Sequence, residues 1–375
     1  MAVSPPRVDG SGVRNVRRPP HLLMVASPTH FAVRPDWLAT CQEDPVDAAL
    51  PIVDSHHHLY DRPGLRYLFD DLLQDLSSGH NVCATVFVQA RSMLRADAPP
   101  HLQPLGETEF ANGVAAMSAS GIYGDARVCA GIVGFADLTL GDRIRPVLER
   151  HIAVAGGTVA EGGRFRGVRQ SLTWDLDASL TNPLYPTSED TMESREFRAG
   201  LAHLAPLGLS FEAWVFFHQL PKLTALARAF PDVPMVLNHC GGIVRIARYA
   251  GQRDEVFRQW QRGLIELARC PNVMVKLSGL GMRLGGFGFD DRERAPSSTE
   301  LAEAWRPWIE TCLEAFGTRR CMYGSNFPVD KGSYGYGIGL NALKRLVQGA
   351  SASEKADIFW RSAKTFYRLP EWRDA

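Results

Sequence analysis

Between residues 50 and 370 the chain alternates short apolar runs with segments whose apolar residues recur every three to four positions. Runs rich in β-branched residues read as strands buried on both faces, and the longer periodic segments read as amphipathic helices. Strands are predicted in a run closing on Val53 and at 81–89, 127–137, 165–171, 210–217, 233–239, 272–278 and 320–325. Helices are predicted near 109–118, 142–151, 196–206, 222–230, 254–269 and 300–316, with two more at 340–346 and 353–367. Near-continuous apolar strands separated by helices make a parallel sheet covered by helices. Eight such units specify an α/β fold, a single (β/α)8 TIM barrel with an extra C-terminal helix, over residues 50–375. The rival, an open doubly wound sheet, needs a glycine-rich phosphate turn after its first strand, and the sequence has none there.

Residues 1–49 read differently. Pro5, Pro6, Pro19 and Pro20 argue for an irregular, poorly ordered extension. Arg14, Arg17 and Arg18 before the run from His21 to Ala26 faintly resemble a signal peptide, but that run is short and Ser27-Pro28 follows it at once. An exported chain is therefore not expected, and Met24 is an alternative start to Met1.

Composition narrows the partners. The chain has 375 residues, with 41 Lys+Arg against 41 Asp+Glu. That balance gives no net field for nucleic acid or an anionic membrane, and no apolar run is long enough to span a bilayer. Seven scattered cysteines without a C-x-x-C pair suit reduced thiols. A cytoplasmic protein acting on a small molecule is the expectation, and a homo-oligomer stays open.

The chemistry gathers where strands end, which is where barrels place it. The first strand runs into Asp54-Ser55-His56-His57-His58. Residues two apart share a face of a strand, so His56 and His58 converge and His57 points away. Two imidazoles so placed can grip a metal ion or polarise a carbonyl. Arg169 and Gln170 end the fourth strand, His218 follows the fifth, His239 ends the sixth, Lys276 and Ser278 the seventh, and Ser325, Asn326 and Asp330 follow the eighth. Each also has a plainer reading. A half-buried histidine is often merely a satisfied core residue, Arg169 can pair with a loop carboxylate, and Lys276 and Ser278 suit barrel packing or a rim hydrogen bond. Trp174 and Trp214 can line an aromatic wall or fill the strand–helix interface.

D-x-H-x-H after the first strand, F-x-x-W-x-x-x-x-Q-L from Phe211, L-N-H-x-G-G from Leu237, V-x-V-K-L-S-G from Val273 and G-S-N-F-P from Gly324 resemble the amidohydrolase superfamily. The nearest branch is the amidohydrolase-related lactonases, such as 2-pyrone-4,6-dicarboxylate lactonase and sugar-acid lactonases. The resemblance spans roughly residues 50 to 370. It implies a hydrolase opening a small lactone, with His56, His58 and His239 in the catalytic positions and Arg169 facing substrate. Gln170, His218 and Ser278 are further candidate substrate contacts. Asn326 stands where the family usually has aspartate, and an amide cannot take a proton from water. His239 or Asp330 is then the candidate base. The strand-four residue that bridges two metals in binuclear relatives is missing, so no metal, or one Zn2+ on His56 and His58 with His218 or His239, is expected. Three alternatives are a mononuclear metal amidase or deaminase, a metal-dependent decarboxylase, and a barrel that binds without turnover.

Overall fold

The computed structural model describes residues 30–62 and 65–371. The arginine-rich and apolar segments before residue 30, with Met24, lie outside the described residues. Ten strands occur in chain order: β1 (Ile52–His57), β2 (Tyr60–Arg62), β3 (Leu65–Tyr67), β4 (Val82–Val88), β5 (Arg127–Gly134), β6 (Phe165–Ser171), β7 (Ser210–Trp214), β8 (Met235–Leu237), β9 (Val273–Leu277) and β10 (Cys321–Tyr323). Eight of them form one parallel sheet in the order β1-β4-β5-β6-β7-β8-β9-β10. The ends of that sheet meet, with His57 bridging Phe327 in parallel and the His58 amide donating to the Phe327 carbonyl at 2.8 Å. The architecture is the expected (β/α)8 barrel, with helices following the strands.

The strands form where the sequence places them because their residues are buried on both faces. All seven residues of β4 are buried, as are all five of β7. Most of the apolar core lies in one large cluster that includes Leu72, Phe197, Leu223, Trp260 and Trp308 from the helices. A smaller cluster joins Val53, Val86, Ala130, Val236 and Met322 of the strands to Tyr367 and Leu369 at the chain's end. The C-terminal helical segment, 352–366, therefore packs onto the barrel itself rather than trailing from it.

Three elements were not foreseen. The β2–β3 hairpin is too short to show a period of two. The helix Phe69–Leu76 buries Phe69, Leu72 and Leu76. Residues 30–49, expected within the loose extension, are tied to the barrel's helices. The Trp37 indole donates to the Arg292 carbonyl, and Glu43 accepts from the Ser298 amide at 2.8 Å. No helix among the described residues is long and apolar enough to cross a membrane.

Candidate active site

The site begins with an irregularity in β1. From Asp54 to His57 that strand advances three residues, while its partner β4 advances two, from Thr85 to Phe87. Such a bulge re-aims side chains at a sheet edge. His57 turns away and its Nε2 meets Thr85 Oγ1 at 2.8 Å. His56 and His58 turn together, their ring centroids 4.9 Å apart, and His239 lies 4.5 Å from His56. His239 and Asn326 both have positive φ, 54° and 56°. Ordinary side chains rarely adopt that conformation, and it concentrates at functional sites. Glycine makes room for the His239 turn. A Cβ on Gly279 would sit 2.5 Å from His239 Cβ, and one on Gly242 would meet the Val215 carbonyl oxygen at 1.8 Å.

His58, His239 and Asn326 open onto a recess of about 670 Å³, part of it open to solvent, and His56 is fully buried against the first two. His58, His239, Asn326 and Arg169 line its inner part, and Trp214, Phe216, Tyr60, Tyr185, Met282 and Leu284 its walls. Trp214 stands edge-on to His239 at 4.7 Å, whereas Trp174 is not among the lining residues. The recess carries two guanidinium groups, Arg62 and Arg169, and no carboxylate among its described lining residues. Gln89 also lines it, fully buried with neither amide atom hydrogen-bonded. A buried amide left unpaired costs roughly 1–3 kcal/mol, so a water or a polar ligand group belongs against these atoms.

Burial holds all three histidines neutral. The pKa of each lies well below its ordinary value, first through desolvation and then through the neighbouring cations, Lys276 foremost for His56 and Arg169 for His58 and His239. Arg169 reaches the centre from β6, its Nη1 3.2 Å from His56 Nε2 and its Nη2 donating to the Gln89 carbonyl at 2.5 Å. Beneath them Lys276 and Glu212 form a fully buried ion pair at 2.7 Å. The sequence reading placed Lys276 in the packing and passed over Glu212. A lone acid in an apolar strand was the available signal, but its partner lies 64 residues away.

Four candidates sit elsewhere than expected. Gln170 follows Arg169 in an extended strand and so faces the opposite way. Its amide oxygen accepts from the Leu138 amide and its nitrogen donates to Asp137, on the outer side. His218 is held outside the recess by Asp175, 3.0 Å from its Nε2, and stacks on Tyr249. Ser278 touches His239 Nδ1 at 3.0 Å instead of lining the recess, so it orients that ring. Asp330 is fully buried behind Asn326 and accepts from Asn326 Nδ2 at 2.7 Å, from the Tyr334 hydroxyl and from the Gly281 amide. It has no open path to water and serves to fix the Asn326 amide.

Burial raises the Asp330 carboxyl to about 7, against those hydrogen bonds. Because the folded value exceeds the unfolded one, the stability this group contributes is fully present below about pH 4 and is lost as pH rises through about 7. The stability advantage of wild type over Asp330→Asn should therefore shrink by roughly 2 kcal/mol between pH 5 and 8. Urea denaturation of both proteins at the two pH values measures this; a constant difference would contradict it.

A family model described as Amidohydrolase matches residues 53–369. The chain belongs to the amidohydrolase family. It is 32% identical over 342 residues to Uncharacterized protein y4mH of Sinorhizobium fredii, covering 85% of this chain and 99% of that one. It is 27% identical over 337 residues to L-fucono-1,5-lactonase of Burkholderia multivorans, covering 86% and 98%. A crystal structure of an amidohydrolase from Burkholderia multivorans with bound zinc superposes with a TM-score of 0.65 at 25% identity, covering 85% and 99%. The protein is a hydrolase of this family.

The zinc in that relative raises the question of a metal here. No group of three or more His, Cys, Asp or Glu side chains among the described residues is arranged to hold an ion. His56 has Arg169 at one ring nitrogen and Lys276, 3.3 Å away, at the other. Position 326 offers a neutral amide, and β6 supplies no lysine or glutamate ligand. A divalent cation between two protein cations with no free carboxylate to offset them is unfavourable. These residues do not fit the metal.

Proposed function

We propose that this hydrolase opens a small lactone bearing a carboxylate, by attack of water at the barrel mouth and without a metal. The observation that carries this reading is a single recess lined by His58, His239, Arg62 and Arg169, with His56 packed against both histidine rings and no carboxylate among the described lining residues. The named lactonase relative supports the reaction class. The cationic lining supports an anionic substrate, because a guanidinium fork fits a carboxylate in two parallel hydrogen bonds. Arg169 was the sequence candidate for that role, but its Nη2 is tied to the Gln89 carbonyl and its Nη1 stands beside His56, so it cannot offer a free fork. Arg62, on the β2–β3 hairpin with a buried Nη2 that has no hydrogen-bond partner among the described residues, is the better-placed fork for the carboxylate.

The steps use this chain's own groups. Donors at the inner end of the recess draw charge from the ring carbonyl. His239, neutral and oriented through Nδ1 by Ser278, turns its other ring nitrogen to the recess and takes a proton from water as the water adds to the acyl carbon. The C–O bond of the ring then breaks and the proton passes to the departing oxygen, which leaves a hydroxy acid.

Purified protein screened against paired lactones, each with and without a ring carboxylate, tests the proposal through acid release in the presence and absence of EDTA. Saturable release is expected from carboxylated lactones, unchanged by EDTA. Release from none of the panel, or release that EDTA abolishes, would contradict it.

A further inference from the structure

The two histidines of the first-strand motif are anchored by opposite kinds of partner. A neutral imidazole has one N–H and one lone pair, so the partner of one nitrogen decides what the other offers. His58 Nδ1 lies 2.8 Å from the Val88 carbonyl oxygen, which can only accept. Its Nδ1 therefore carries the proton, and Nε2 presents a lone pair. His56 Nδ1 instead lies 3.3 Å from the Lys276 ammonium, which can only donate. Lys276 spends two of its protons on Glu212, at 2.8 and 2.7 Å, and the third points to this ring. Glu212 is itself fixed by Asn238 Nδ2 at 2.9 Å and by the Tyr367 hydroxyl, so the pair cannot swing aside. Arg169 Nη1 at the other ring nitrogen is a donor too, so only one of the two contacts can be a hydrogen bond. The sealed Lys276 has no other acceptor for its third proton among the described residues, whereas Arg169 lines the recess and can turn to a ligand, so we place the His56 lone pair at Nδ1 and its proton at Nε2.

What each free nitrogen faces completes the pattern. His56 Nε2–H lies 3.2 Å from Arg169 Nη1, a second donor. Two donors side by side have no bond to make with each other, and an electron-rich oxygen between them satisfies both. His58 Nε2 lies 3.3 Å from Asn326 Oδ1. That amide is fixed by its nitrogen's bond to Asp330, so its oxygen faces the ring. Two acceptors side by side can share one hydrogen of a water molecule, which leaves its second hydrogen free for His239.

We propose that Lys276–Glu212 and the Val88 carbonyl lock the two motif histidines in opposite tautomers, so that His56 with Arg169 receives the lactone carbonyl oxygen while His58 with Asn326 holds the attacking water. The assignment of substrate atoms rests on the lactone reading above; the tautomers do not. Lys276 and Glu212 are positioning residues that act through His56. The sequence pattern H-x-H suggests two equivalent groups, whereas the structure gives them complementary work on the two reactants. His239 then takes the transferred proton while His58 and Asn326 keep the other hydrogen in place.

Imidazole 15N spectra of the substrate-free protein test this, with His56 and His58 assigned by single His→Asn variants. The expected result is a pyridine-type Nδ1 and pyrrole-type Nε2 for His56, and the reverse for His58. Removing the ion pair as a unit, Lys276→Met with Glu212→Gln, should abolish the fixed His56 pattern and leave that of His58 intact. Loss of an orienting partner of a functional histidine costs about 10–100-fold in activity. The double variant should therefore lose that much in kcat on a lactone that wild type opens, with KM nearly unchanged. The same tautomer in both wild-type rings, or a pyrrole-type His56 Nδ1, would overturn the proposal, and the wild-type spectra decide this even if the double variant does not fold. Opposite tautomers in a protein that opens no lactone would leave the locking in place and refute the reaction reading instead.

Discussion

Replacing His239 by asparagine should lower kcat on any lactone that wild type hydrolyses by about 10²–10⁴-fold, the usual worth of general-base assistance. Asparagine keeps a side chain able to hydrogen-bond Ser278 but cannot accept a proton at working pH. The fold should survive, because the turn at 238–242 is set by backbone and by Gly242, whose Cβ position is occupied by the Val215 carbonyl. Substrate affinity should change little, since the cationic grip comes from Arg62 and Arg169. Steady-state kinetics with a circular dichroism melt separate the effects. An active His239→Asn protein would remove this residue from the proton path and pass the base role to His58 Nε2, whose lone pair faces the same recess, since Asp330 is sealed behind Asn326.

The second large effect concerns stability. Lys276→Met alone should destabilise the protein by about 3–5 kcal/mol, because breaking a buried ion pair from one side strands the other charge. Glu212 would keep the hydrogen bonds from Asn238 and Tyr367 but lose its only ion-pair partner among the described residues. Adding Glu212→Gln should recover most of that loss, because the amide needs no counter-charge. Chemical denaturation midpoints of wild type, single and double variants measure the difference. Equal loss in single and double variants would show that packing at Lys276, rather than charge, holds the barrel interior together.

Much of the barrel was legible because its strands are short, apolar and regularly spaced. The strand β6, the fourth read from the sequence, was located to the residue at 165–171 even though Arg166, Arg169 and Gln170 interrupt its apolar pattern. Strand ends were read too long at 127–137 and 210–217. The apolar residues Ala136 and Val215–Phe217 are buried beyond the last ladder bond, and apolarity reports burial rather than pairing. The helix Phe69–Leu76 was missed although Phe69, Leu72 and Leu76 have helical spacing; its aspartates obscured the pattern. Within the site, the convergence of His56, His58, His239, Arg169 and Asn326 follows from the rule that barrel chemistry sits at strand ends. Gln170 was avoidable by the alternation of a strand. Ser278 and Asp330 were found as neighbours of the site, but whether a polar residue touches the recess or a residue that does is decided by one layer of packing. Glu212, Gln89 and Arg62 carried no local motif. The pairing of Glu212 with Lys276, and the exposure of Gln89 and Arg62 to one recess, exist only in the closed barrel.

A crystal structure of the His239→Asn variant, soaked with a carboxylated lactone that wild type opens, tests the central claim most directly. The unopened ring should lie in the recess with its carbonyl oxygen between His56 Nε2 and Arg169, its carboxylate on Arg62, and its acyl carbon toward position 239. A lactone bound elsewhere, or one whose carbonyl points away from His56 while the carboxylate ignores both arginines, would contradict the account.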